Sequence, residues 1–192
     1  MFFDDAKTAS KELELVLTGR DCGEAERAPM CGVPFHSADG YIARLVGKGY
    51  KVAICEQMED PATAKGIVRR DVIRVITPGT VIESSMLDES KNNYLASVCA
   101  SNGNVGMCFI DISTGEVNLT EFSENIEQRV INEMGRYNPT EIILNKEVVS
   151  FTSLADFISK KLEASVELLI EEFDFSRAEG VCKEHFGTND LG

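Results

Sequence analysis

Three short apolar runs joined by turn-forming residues, followed by alternating helical and strand patterns, constrain this chain more than anything else in it. Residues 94–99 read as a strand and Asn102-Gly103 as a hairpin turn, with residues 105–112 and 116–122 as two further strands around Ser113-Thr114-Gly115. Together they predict a three-stranded antiparallel meander. An amphipathic helix over residues 123–136 follows, then a strand over 141–144 after Asn138-Pro139, a helix near 152–162, a strand over 166–170 and a last helix near 176–185.

A meander that gives way to alternating α and β is the order of an RNase H-like fold. The first part of the chain predicts a different, smaller α/β domain. Asp4 or Asp5 caps a helix with Ala6, Ala9, Ser10 and Leu13 at helical spacing, and the alternation Leu13, Leu15, Leu17 predicts a strand ending at Thr18-Gly19-Arg20. Met30-Cys31-Gly32-Val33-Pro34 reads as a short extended piece. Ser37 caps a second helix with Tyr41, Ile42, Leu45 and Val46, stopped by Gly47 and Gly49. Residues 50–55 predict a strand buried in a sheet, and residues 68–76 another, stopped by Thr77-Pro78-Gly79-Thr80. The expected organisation is therefore a mixed-sheet α/β domain over 1–82, a polar linker over 83–92 and an RNase H-like α/β domain over 93–192.

At 192 residues the chain needs no metal or disulfide as a staple, since folding hides roughly 70% of the extended-chain surface at this size. Six cysteines occur with no C-x-x-C pair, four of them in apolar runs where a small buried thiol fits, so a reduced, cytosolic compartment is expected. No apolar stretch approaches the roughly 18 residues of a membrane span, and Met1-Phe2-Phe3-Asp4-Asp5 lacks the basic start of a secretory signal. The chain opens directly into a helical pattern and stops at Asn189-Asp190-Leu191-Gly192 without a finishing element, as a fragment would.

A net charge of -13 argues against the whole molecule coating nucleic acid or an anionic membrane. The average conceals an asymmetry: residues 1–91 hold 12 basic and 15 acidic side chains, whereas residues 92–192 hold 7 and 17. Within the first part, Lys65-Gly66-Ile67-Val68-Arg69-Arg70-Asp71-Val72-Ile73-Arg74 carries four positive charges and one negative, a cationic stripe suited to phosphates. Simple alternation predicts that Arg70, Val72, Arg74 and Ile76 share one strand face and Arg69 and Asp71 the other, with Lys65 beside them and Arg20 extending the patch. The competing interpretation is a solvated strand face.

Catalytic patterns are sparse. Asp111 precedes the Ser113-Thr114-Gly115 turn as a nuclease carboxylate would, but a two-metal site needs three or four converging carboxylates, and Glu141 and Asp174 are the remaining candidates. A turn-capping role for Asp111 stands beside that enzyme reading. His36 and His185 are far apart in sequence and lack neighbouring ligands at zinc spacing, and no G-x-x-x-x-G-K-[ST] phosphate loop occurs. No catalytic residue, metal site or cofactor is expected in this segment.

Four segments in order, Phe3-Asp4-Asp5-Ala6-Lys7-Thr8-Ala9-Ser10, Pro29-Met30-Cys31-Gly32-Val33-Pro34-Phe35-His36, Val52-Ala53-Ile54-Cys55-Glu56-Gln57 and Asp60-Pro61-Ala62-Thr63-Ala64-Lys65-Gly66, followed by Arg74-Val75-Ile76-Thr77-Pro78-Gly79-Thr80, closely resemble the MutS family of bacterial DNA mismatch repair proteins. The resemblance continues through Asp111-Ile112-Ser113-Thr114-Gly115-Glu116, Asn138-Pro139-Thr140-Glu141 and Phe186-Gly187-Thr188. It implies a mismatch-recognition domain followed by a connector domain that is RNase H-like without a nuclease role. The family's Phe-x-Glu mismatch reader would precede Met1, so Phe2 does not inherit the wedge role.

The resemblance also implies partners: double-stranded DNA with mismatches or small loops, a MutL-type protein through the connector domain, and a second copy in the full-length homodimer. ATP and Mg²⁺ would belong to the ATPase domain of the full-length protein, and the location would be bacterial cytoplasm beside the nucleoid. Under this expectation Arg20, Lys65, Arg69, Arg70 and Arg74 supply part of the DNA-backbone grip.

Overall fold

In the computed structural model, residues 1–23, 26–60, 68–170 and 172–190 are described. The chain divides into two compact units, Met1–Pro78 and Gly79–Gly192.

The first unit opens with helix α1 (Phe3–Leu13), which buries Ala6, Ala9 and Leu13 on one face. Small side chains at that spacing bring the helix close to its neighbours, and Cys31 and Leu45 complete a compact cluster. Asp4 and Asp5 lie in the first turn rather than at the cap, which is Phe2, so they act on the helix dipole instead of closing the N-terminus with a side-chain bond. Leu13 is the last helical residue. Glu14 turns left-handed at φ 57°, and the Leu15 N–H donates to the Ser10 carbonyl at 2.9 Å, so the expected Leu13-Leu15-Leu17 strand does not form.

Strand β1 is only Thr18–Arg20, paired antiparallel with β2 (Ala28–Met30). Helix α2 (Ala38–Val46) begins after Ser37, as its apolar spacing predicts. Strand β3 (Val52–Gln57) pairs antiparallel with β4 (Arg70–Ile76) in a separate two-stranded sheet. Residues 50–55 were expected in a buried strand, yet Ala53 and Cys55 are exposed, because a two-stranded ribbon leaves one face open.

The second unit is a five-stranded mixed sheet built from β5 (Leu95–Ser101), β6 (Asn104–Asp111), β7 (Glu116–Phe122), β8 (Glu141–Leu144) and β9 (Ser165–Leu168). Its order is β7-β6-β5-β8-β9, with the first three antiparallel to one another and β8 and β9 parallel to β5. That is the meander plus crossover strands of an RNase H-like sheet. Asn102 and Gly103 both take positive φ, 50° and 80°, the backbone a two-residue hairpin needs to match strand twist.

Helices α3 (Ile126–Tyr137) and α4 (Thr152–Lys161) contribute Val130, Met134, Leu154 and Ile158 to a core with Val98, Phe109 and Ile142. Tyr137 stacks on Phe109 at 4.2 Å and meets Tyr94 edge-on at 5.2 Å. The last helix, α5 (Phe175–Phe186), is capped by the Asp174 carboxylate, which accepts from the Arg177 N–H, and buries none of its residues. All six cysteines are free thiols; Cys31 alone is buried, and Cys22 and Cys55 are exposed. Among the described residues, no helix is long and apolar enough to cross a membrane.

Candidate nucleic-acid interface

The cationic stripe folds into the β3–β4 hairpin, and one irregularity there decides which arginines act together. Gln57 pairs with Arg70 and Cys55 with Val72, but Ile54 pairs with Arg74 and Val52 with Ile76. Ile73 is therefore the extra residue of a β-bulge. Directly opposed residues in an antiparallel pair share a face, and Cys55 and Ile54 are on opposite faces of β3. Arg70 thus lies on the Ala53-Cys55-Gln57 face and Arg74 on the Val52-Ile54 face. The expectation that Arg70, Val72, Arg74 and Ile76 share a face is corrected, since an inserted residue reverses the alternation partway along the strand.

A cavity of about 750 Å³ in the first unit collects the residues on the Arg70 side. Arg20, from the end of β1, and Arg70 and Gln57, from the connected end of the β3–β4 pair, line it together with Phe2, Phe3 and Asp5. Fifty residues separate the two arginines in sequence and each ends a strand of a separate two-stranded sheet, yet both line this cavity. Both are exposed, and neither forms an ion pair among the described residues. Two uncommitted guanidiniums beside an amide and aromatic rings present planar donors to an anion and apolar surface next to it.

Arg69 lies just before β4. Its guanidinium is 3.7 Å from the Asp71 carboxylate, with both side chains well exposed, while its backbone N–H donates to Glu59 at 2.6 Å. An exposed pair at that distance is worth about 0–1 kcal/mol and leaves the cation available. Arg74 is half-buried. Lys65 lies outside the described residues. Gln57 is the member of the cavity that the sequence reading did not single out; its signal was its position at the end of the Val52–Gln57 strand, opposite Arg70.

Asp111 occupies the end of β6 and is 1% exposed. One carboxylate oxygen accepts from the Ser113 hydroxyl at 2.6 Å, the Ser113 N–H at 2.9 Å and the Thr114 N–H at 3.3 Å; the other accepts from the Asn93 N–H at 3.0 Å. Burial pushes this carboxyl up, but the Ser113 hydroxyl and the three N–H groups outweigh it, so the group is held below the ordinary carboxylate range. Strand β6 is one place removed from the sheet centre, which is β5, a strand without a carboxylate. Glu141, also buried, accepts from the Gly79 N–H at 2.9 Å. Asp174 caps α5. Among the described residues no three His, Cys, Asp or Glu side chains gather as a metal-ligand group. His36 lies in a short 3-10 turn of the first unit, and His185 meets Phe186 edge-on in α5 of the second.

Fold and site together define a chain of two α/β units, the first carrying a paired-arginine cavity and the second a meander-plus-crossover sheet. The family descriptions that match it divide the chain in the same way: MutS domain I over residues 1–85 and MutS domain II over residues 93–192. The chain belongs to the MutS family. It is 52% identical over 193 residues to the DNA mismatch repair protein MutS of Ruminiclostridium cellulolyticum, covering 100% of this chain and 22% of that protein. The protein of the same name from Clostridioides difficile is 61% identical over 145 residues, 76% of this chain and 15% of that one, and the Lachnoclostridium phytofermentans protein is 45% identical over 192 residues, 100% and 20%. The chain spans about a fifth of the length of these relatives.

Proposed function

We infer that this chain takes part in DNA mismatch repair, and that its first unit grips the duplex backbone beside a mismatch through Arg20 and Arg70. The observation that carries this is the presence of both in the lining of one cavity on an otherwise anionic molecule. Backbone contacts of this kind fix register and carry no base information. The sequence-reading element is the Phe-x-Glu segment that the family resemblance places ahead of Met1. Its aromatic ring would unstack a step and bend the duplex at a cost of a few kcal/mol, least where pairing is already defective. A firm hold on the flanking phosphates is what lets that bend be sampled.

Lys65, five residues before Arg70 in sequence, extends the grip, whereas Arg74 and Arg69, whose guanidinium is turned to Asp71, belong to the other strand face and are secondary to it. The acidic second unit is a poor direct ligand for DNA and serves to pass conformational state toward the family's ATPase domain and to offer a surface to a MutL-type partner. This segment performs no catalysis of its own, and ATP and Mg²⁺ belong to the ATPase domain. The full-length protein works as a homodimer in the bacterial cytoplasm, beside the nucleoid. The test is duplex binding by the chain extended to include the Phe-x-Glu segment. Arg70→Ala should weaken homoduplex and mismatch binding alike and lower the slope of log K against log salt by about 0.9. Unchanged affinity at every salt concentration would remove Arg70 from the grip.

A further inference from the structure

Two motifs carried by the family resemblance have no part in gripping DNA: Thr77-Pro78-Gly79-Thr80, where the first unit ends, and Asn138-Pro139-Thr140-Glu141, at the start of β8. The structure brings them together within the second unit. The buried Glu141 carboxylate accepts the Gly79 N–H at 2.9 Å. Gly79 is itself buried, and a Cβ placed on it would stand 2.9 Å from the Glu141 Cβ and 3.0 Å from the Leu95 Cβ. Only glycine lets the backbone come that close. The next residue but one, Val81, is 4% exposed.

The other end of the same segment is held by the neighbouring residue of the same motif. The Thr140 hydroxyl donates to the Asn93 side-chain carbonyl at 2.8 Å, and the Thr140 N–H donates to the Tyr94 carbonyl at 2.9 Å. Asn93 in turn gives its N–H to Asp111, and Asn92 gives its amide to Tyr94 and to Glu116 at 2.7 and 2.6 Å. Between the two anchors, Asp88 binds the Ser90 hydroxyl at 2.6 Å and lies 3.7 Å from the Lys91 ammonium.

We propose that Thr140 and Glu141 form a clasp that pins both ends of the 79–93 segment to the second unit. The polar stretch that composition reads as a linker or a short helix lies between these two anchors and contains a 3-10 turn at Ser84–Met86. The clasp rests on geometry inside the second unit and stands or falls separately from the DNA grip.

Residue-resolved amide hydrogen exchange on the chain tests it. In the parent sequence the Gly79 and Val81 amides should exchange roughly 100-fold or more slowly than an unstructured peptide, in the range of buried strand amides. Glu141→Ala should return Gly79 and Val81 to within about tenfold of the unstructured rate while Val98 and Phe109 in the core stay protected, and Glu141→Gln, which keeps an acceptor oxygen, should retain most of the protection. If Glu141→Ala also releases Val98 and Phe109, Gly79→Ala decides the matter: its Cβ must lift the segment and expose residues 79–81 with the core intact. Rapid exchange at Gly79 and Val81 in the parent chain overturns the proposal. So does a Glu141→Ala or Gly79→Ala chain in which their protection is unchanged.

Discussion

Asp111 shows how one side chain can look catalytic in sequence and be structural in place. Its two oxygens accept four hydrogen bonds that together close the β6–β7 turn and hold Asn93. Because its carboxyl is held below the ordinary value, its contribution to stability is fully present above the unfolded-state pKa near 3.9 and is lost as pH falls through the lower folded value. Glu116 acts in the same sense: Asn118 and Tyr94 lower its pKa most, with Asn92 adding to them. The second unit should therefore keep a level melting temperature from pH 7 to about 5 and lose it below about pH 4. Asp111→Asn should flatten that acid limb and cost roughly 1–3 kcal/mol at neutral pH, read by denaturant unfolding across pH. An acid limb identical in Asp111→Asn would assign it to other carboxylates.

At the scale of elements, the β3–β4 bulge is the feature with the largest functional consequence. It separates Arg70 from Arg74 by one inserted residue, so Arg74→Ala should leave the salt slope of DNA binding unchanged where Arg70→Ala lowers it. Equal losses from the two substitutions would mean that the hairpin face does not sort the contacts. The same hairpin marks where sequence reading stops. Strands β7 and β8 were legible to the residue because the Ser113-Thr114-Gly115 turn and Asn138-Pro139 punctuate them locally. The bulge was not, since register depends on which residue of β3 faces which residue of β4, and alternation along one strand carries no record of an insertion. Leu13, Leu15 and Leu17 misled for a related reason: Leu13 ends the helix while Leu15 and Leu17 lie in the connection before β1, and the left-handed turn at Glu14 has no glycine to announce it. For the candidate site, the cationic residues were visible and their grouping was not, because Arg20 and Arg70 belong to strands of different sheets, fifty residues apart in sequence.

At the scale of the molecule, the two units are unequally built. The second buries a continuous core that includes Phe109, Met134, Ile142 and Leu154, whereas the described residues of the first bury a smaller cluster of Ala6, Ala9, Leu13, Cys31 and Leu45, with Ala28, Val46 and Ile76 also buried, and carry two-stranded sheets, which are marginal alone in water. Unfolding should accordingly be non-coincident, with amides of α1 and β3 exchanging before those of β5 and β6 as denaturant rises; a single transition shared by all four would mean that the units fold as one. Phe109→Ala should cost about 3–5 kcal/mol in the second unit, and hydrogen exchange should leave the first unit's protection unaltered. The division fits the proposed labour: a small, adaptable unit meets the DNA and a sturdier one carries the clasped segment and the partner surface.

The most direct measurement is the salt dependence of duplex binding by the Phe-x-Glu-extended chain and by its Arg20→Ala/Arg70→Ala double variant, on homoduplex and on mismatched DNA. If the two guanidiniums each neutralise a phosphate, the slope of log K against log salt should fall by about 1.8 on both duplexes. A double variant with the parent's slope and affinity on both would contradict a backbone grip at this cavity.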